Sequence, residues 1–427
     1  MFITTASGAP SRPLRRGVYL RISPPRLAIF SALLIGSWVA IWLCTRAHAS
    51  VSLKRMSVTA ATQPGVHASS QPVTPHAAPW GELEVTPIQL APPIDAAERF
   101  ALVDTGTWHF RDCTPAQLAQ ILQTTGMPDD QRQSLLKSCS PEVSINGLVA
   151  RPDPALVLAL SNDARTALYR ILAADPHNPQ AEPFRHRLGT DWFAGSGLPE
   201  DVVSVARRLV YRRGEMEAFV DVSAIGPYLK NESERAALYR TLCAQSALLV
   251  RLHVRPESDI DALVAYWGNG GRERQVRPFL ESLSKVPGGS AISVAQLMPQ
   301  FARARAYTFP RLEGSSPNGP QDCHWTSFNF WNPIPSDAFS QADNVGREIR
   351  TAYHPIDKPQ RLGDIVFLLN EKGDGIHSAV FVADDIVFTK NGSNMAAPWI
   401  FMRLADLQTY YETNGAVKTI FLRKNSF

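Results

Sequence analysis

The stretch PNGPQDCHWTSFNFW, residues 317 to 331, sets a cysteine at the head of an aromatic run. Asp322 is a residue type that caps helix N-termini, and Trp325, Phe328 and Phe330 or Trp331 supply an apolar face, so a helix is predicted to open at Cys323. Pro333 and Pro335 end it. The first-turn N–H groups of a helix are unpaired and its dipole is positive there. Both favour the thiolate, which is the nucleophilic form of cysteine. A thiolate nucleophile also needs a base facing it and a third polar group to fix that base. His377 is expected to be the base, because it leads a strand from which it can face a helix packed on the sheet. His324 neighbours the cysteine on the helix and points elsewhere, and His354 lies in the loop AYHPIDKP. The competing reading of Cys323 is a small apolar residue in a core.

These residues need a scaffold. GDIVFLL from Gly363 reads as a buried strand, NEKGDG as a turn, IHSAVFVA as a second strand and IVFTK, after the turn Asp384-Asp385, as a third. LADLQTYYETNG is a helix stopped by Gly415, and AVKTIFLRK a last strand. The predicted order is helix, three strands of an antiparallel meander, helix, strand.

On these residues the tail resembles the NlpC-type, papain-like cysteine peptidases of bacterial cell walls. The resemblance rests on Asp322-Cys323, on the run Leu362 to Phe367 with its Gly-Asp, and on His377 leading HSAVFVADD; it covers about 105 to 120 residues, a quarter of the chain. It implies catalytic Cys323 and His377, with the Cys323 backbone N–H in an oxyanion hole. It also implies a third residue about a dozen positions after the histidine, which falls on Thr389, with Asn391 two further on. Asn391 is preferred, since an amide oxygen accepts from an imidazole N–H and orients it better than a hydroxyl. The family's Ser-Gly after the cysteine is replaced by His324-Trp325, so substrate access is expected to differ. Asp364 is expected to cap or brace a turn. The implied activity is hydrolysis of an amide or peptide bond in peptidoglycan stem peptides through a thioester, with neither cofactor nor metal. The alternatives are a catalytically inactive binding or scaffold protein of the envelope, or a transferase using the same thioester.

The rest of the chain reads as follows. Residues 1–26 carry five arginines and no acid, and LAIFSALLIGSWVAIWLC is an uncharged run of 18 residues within 27–45. This is either an inner-membrane anchor with the body in the periplasm, or a signal cleaved after Ala47-His48-Ala49 with the body secreted. Residues 46–95 are expected to form an Ala/Pro-rich linker, 96–305 a mainly helical domain and 306–427 the papain-like domain. Within the helical region Thr114 and Pro115 start one helix, Asp201 to Arg212 form another, and Ser258-Asp259 open a third that stops at Gly268. LSNDARTALYRIL and LKNESERAALYRTL echo one another, as a duplication or as convergent helices. This region is expected to position the enzyme, bind the wall or an envelope partner, or regulate access. His109, His177, His186 and His253 are scattered and suggest no ligand set.

With 43 basic and 39 acidic residues, and the excess gathered at the N-terminus, no basic face for nucleic acid is expected. None of the five cysteines pairs at close spacing, which argues against a zinc site. Cys113 and Cys139 either pair in an oxidising compartment or stay as two buried thiols. The fold class expected is α+β: a papain-like C-terminal domain, with a helix on an antiparallel sheet, preceded by a helical domain and a transmembrane segment.

Overall fold

Thr114 opens its helix as the spacing predicts. In the computed structural model, which describes residues 78–94, 106–310, 321–413 and 415–426, the Thr114 hydroxyl accepts from Gln117 N–H and the Gln117 side chain accepts from Thr114 N–H. This reciprocal box starts Pro115–Gln123 and buries Leu118 and Leu122. Asp259 caps Ile260–Trp267, which stops at Gly268. The helix Glu200–Leu209 buries Val202, Val205, Ala206 and Leu209, and ends earlier than expected because Tyr211–Arg213 becomes a strand.

The echoed segments form the helices Asn162–Leu172 and Glu232–Leu242, capped by Ser161 and Asn231. They diverge at the shared arginine. Arg165 is buried and lies 3.4 Å from the buried Asp221 carboxylate, whereas Arg235 pairs with Glu232 at the surface.

Two expectations are corrected. The linker does not reach residue 95. ELEVTPIQL forms strand β1 (Glu82–Leu90). The region from 96 to 305 also holds more sheet than expected. β2 (Trp108–Phe110), β3 (Cys139–Glu142) and β4 (Gly147–Ala150) form a sheet in the order β2-β4-β3. β5 (Phe184–Arg187), β6 (Tyr211–Arg213) and β7 (Met216–Phe219) form another, ordered β5-β7-β6. β8 (Gln245–Val254) lies between β1 and β9 (Ser290–Ser293). Pro87 and Pro141 sit in β1 and β3, both edge strands, where a missing N–H leaves no gap in a ladder. Cys113 and Cys139 are both free thiols. Residues 1–77, with the basic segment, the apolar run and most of the expected linker, lie outside the described residues. Among the described residues no helix is long and apolar enough to cross a membrane.

The C-terminal sheet has six antiparallel strands: β10 (Tyr353–Ile356), β11 (Ile365–Leu369), β12 (Gly375–Ala383), β13 (Ile386–Lys390), β14 (Trp399–Arg403) and β15 (Lys418–Lys424). Their spatial order is β10-β15-β11-β12-β13-β14. The chain is thus α+β. One face packs on Trp325 and Phe328 of the cysteine helix and on Tyr266, Trp267 and Phe301 from upstream. The other face, with Val366, Leu368, Ala379, Phe381, Val387 and Ile400, packs on Leu407 and Tyr411 of the helix Leu404–Glu412. A separate core from Trp108 to Leu242 fills the middle of the chain. Packing therefore does not divide at residue 305: Tyr266 OH donates to Val382 O (2.7 Å) and Asn269 Nδ2 to Leu362 O (2.7 Å).

Gly363 shows how tightly the sheet is seated. It has φ +97°, and a Cβ there would stand 2.1 Å from the Trp331 ring, while a Cβ added at Gly270 would meet another edge of that ring at 2.5 Å. Gly363→Ala is expected to lower the unfolding free energy by about 3 kcal/mol, from steric overlap plus a left-handed backbone. Urea denaturation checks this, and a loss below ~1 kcal/mol would show that Trp331 yields.

Candidate active site

Asp322 caps its helix through Oδ1, which accepts from Trp325 N–H at 2.8 Å. The helix Cys323–Phe328 is only six residues long, shorter than the aromatic run suggests. Asn329 ends it. Its Nδ2 donates to Trp325 O and Ser336 O (3.0 Å each), and its Oδ1 accepts from Ser336 N–H at 2.7 Å. So short a helix brings little dipole to the sulfur. It is nevertheless firmly held. Trp399 Nε1 donates to Thr326 Oγ1 (2.9 Å), and the Arg305 guanidinium lies over the rings of Phe301, Trp325 and Trp399 at 4.1, 5.1 and 5.5 Å.

Alternation along β12 decides what faces the helix. Val380 and Val382 point to the cysteine helix, and so does Ser378, whose hydroxyl donates to Cys323 O (3.2 Å) and pairs with His324 Nδ1 (2.9 Å). His377 lies on the opposite face with Ala379 and Phe381, stacked on Tyr411 at 4.2 Å between ring centroids. The helix that His377 faces is therefore Leu404–Glu412, not the cysteine helix. Its Nε2 pairs with Thr389 Oγ1 at 2.8 Å. Its Nδ1 is buried and has no hydrogen-bond partner, so no such bond joins the ring to the Cys323 sulfur.

The two faces communicate through a gap in the sheet. The β12–β13 ladder runs only from Ala383↔Ile386 to Val380↔Phe388. Beyond it the strands part, bridged by Thr389 Oγ1 to Ser378 O at 3.4 Å. Cys323 lies against this end of β12, its sulfur close enough to the Ser378 backbone N–H to be stabilised by it.

Asn391 does not reach the imidazole. Its Nδ2 donates to Met402 Sδ at 3.5 Å, and its Oδ1 has no partner. Extending the register would place Asn391 opposite His377, but the ladder has opened and β13 ends at Lys390. The ring therefore reaches diagonally back to Thr389. His324 is half-buried and stacks on Phe367 (5.2 Å between centroids), and His354 pairs with Asn425 at the surface. Asp364 braces a turn. It accepts from Gln360 and Arg361 N–H and takes both bonds of Arg423, at 2.8 and 2.7 Å.

Burial dominates the electrostatics here. Burial, and then the Asp322 charge, pushes the Cys323 thiol up to about 12, against the backbone N–H groups of Ser378 and His324 and the charge of Lys390. Burial, and then the charge of His324, holds His377 well below the usual imidazole value. The thiol is thus protonated and the imidazole neutral. Among the described residues no cluster of three or more His, Cys, Asp or Glu side chains is placed to hold a metal.

Three neighbours escaped sequence reading: Ser378, Tyr411 and Lys390. Tyr411 carried a signal, since it follows Leu407 by four positions on the face of its helix that meets the sheet. Lys390 carried none, because a lysine ending an apolar strand reads as solvent-exposed. Compared with known proteins, the chain matches no family model, and neither the curated proteins nor the solved structures give a significant match.

Proposed function

We propose that the chain is a papain-like cysteine hydrolase of amide or peptide bonds, with Cys323 as nucleophile, His377 as base and Thr389 as the group that orients it. The observation that carries this reading is the His377 ring. It is fully buried and neutral, fixed through Nε2 by Thr389, and leaves Nδ1 unpaired beside the strand residue that contacts Cys323. A buried polar atom without a partner is costly, and its retention suits a nitrogen kept open for a proton.

In the proposed reaction Sγ–H gives its proton to His377 Nδ1 as sulfur bonds the substrate carbonyl carbon. The imidazolium returns that proton to the departing amine, and a thioester remains. Water, deprotonated by the same nitrogen, then attacks the thioester and restores the thiol. Because both groups are buried, substrate must enter by displacing side chains at the strand opening. Peptidoglycan stem peptide is the proposed substrate and the bacterial envelope the proposed location, both resting on the NlpC-type resemblance of the tail.

The burial of Cys323 and His377 favours a second reading, a binding or scaffold protein whose site does not turn over. Purified protein incubated with sacculi and with stem peptides separates the two. New amine termini seen by mass spectrometry with the wild type and absent with Cys323→Ser support the hydrolase. Equal release by both proteins, or none from either, overturns it.

A further inference from the structure

Lys390 is the buried cation that the proposed chemistry leaves unused. Its side chain is fully buried. Ile386 and Phe388 of β13 pack on the face covered by the cysteine helix, while Val387 lies on the other face; alternation puts Lys390 with the former and Thr389, beside His377, with the latter. The ammonium donates to Gly392 O (2.7 Å) and Asn394 O (2.9 Å), and it makes no ion pair among the described residues. Two carbonyl acceptors leave one N–H of the three unassigned. A buried ammonium with no ion-pair contact is costly, and it becomes less so if a negative charge forms next to it.

We infer that Lys390 is a positioning residue that supplies the counter-charge for the Cys323 thiolate, approaching from the helix side of the strand opening while His377 takes the proton on the other side. The inference rests on the cysteine-hydrolase reading and adds the charge balance that reading lacks. When Sγ–H passes its proton to His377 Nδ1, Lys390 stays protonated, and the new anion faces a fixed cation as well as the Ser378 N–H. The other titratable groups around the sulfur do not offer this. Asp322 and His324 come from its own helix, His377 from β12 and Tyr411 from the opposite helix. Asp322 opposes the anion, His377 is spent as base, and Tyr411 and His324 are neutral. Burial brings the Lys390 amine down to about 8, and the charges of Cys323 and Asp322 act in the opposite sense.

The test is alkylation of Cys323 by iodoacetamide from pH 6 to 10, read site by site by mass spectrometry on the full chain, in wild type, Lys390→Met and Lys390→Arg. Lys390→Met is expected to slow alkylation at pH 7 at least tenfold, with Lys390→Arg restoring part of the rate. A rate at pH 7 unchanged in Lys390→Met overturns the inference. Should that variant fail to fold, the same coupling is read in reverse from the titration of the Lys390 amine by nitrogen-15 NMR in wild type and Cys323→Asp, which sets a carboxylate where the thiolate would form. The amine midpoint is expected to rise by at least half a pH unit with the carboxylate in place, and identical midpoints overturn the inference. A wild-type Cys323 that never reacts sinks the hydrolase reading instead, while the amine titration still decides the coupling.

Discussion

His377→Ala is expected to lower turnover of a stem-peptide substrate by roughly 10²–10⁴-fold, the range for losing a positioned general base. Thr389→Val keeps the ring but frees its Nε2, so a smaller loss is expected, with recovery in Thr389→Ser. Steady-state kinetics on the purified variants check this, and an Asn391→Ala variant as damaged as His377→Ala would return the orienting role to the amide. The pH dependence follows from the same burial. The folded His377 value lies well below the unfolded value near 6.5. The stability drawn from its neutral form is therefore complete above pH 6.5 and is lost as pH falls toward the folded value, at about 1.4 kcal/mol per pH unit for each proton taken up. Melting temperatures measured between pH 7 and 4 should fall less steeply in His377→Ala than in wild type.

Asp221→Ala is expected to lower the unfolding free energy by about 3–5 kcal/mol, because it strands a buried guanidinium. Arg165 and Asp221 are both buried, 3.4 Å apart, and the Tyr169 hydroxyl donates to Asp221 at 2.6 Å. Arg165 also donates to Arg208 O and Val157 O at 2.6 Å each, so this one side chain ties three segments of the middle core together. Burial raises the Asp221 carboxyl to about 6 despite the arginine beside it. Desolvation therefore outweighs attraction, and the pair is not expected to be a net source of stability. Replacing both residues by apolar ones, as in Arg165→Met with Asp221→Leu, should recover much of what Asp221→Ala loses. Urea denaturation decides it: a loss below ~1 kcal/mol for Asp221→Ala would mean that the guanidinium finds water.

What could be read from sequence was local. The cap at Asp322, the strands around Val366, Val380 and Val387, and the helix ending near Gly415 follow from side-chain period and turn chemistry. Which face of the sheet a side chain serves did not follow. Period two makes His377 and Ser378 opposites, but the sequence does not say which face the cysteine helix covers. Thr389 was visible as a candidate and passed over for Asn391, because the choice turned on where the β12–β13 ladder opens, a long-range property. Strand β1 was hidden by Pro87, tolerable only because that strand is an edge, and edge position is decided by partners 155 to 171 residues away in sequence. β14 was missed for the opposite reason: APWIFMR lacks alternation because both of its faces are buried.

The core shared between the upstream segments and the C-terminal sheet limits how the molecule can be cut. A fragment starting at residue 321 retains all six strands of the sheet and the cysteine helix, yet loses Tyr266, Trp267 and Phe301 from the surface they cover. The apolar surface they cover would then face solvent, and self-association is the natural outcome. Minimal-domain excision, the usual shortcut with C-terminal segments of this size, is thus a poor route to soluble material, and a chain beginning near residue 78 is the better starting point.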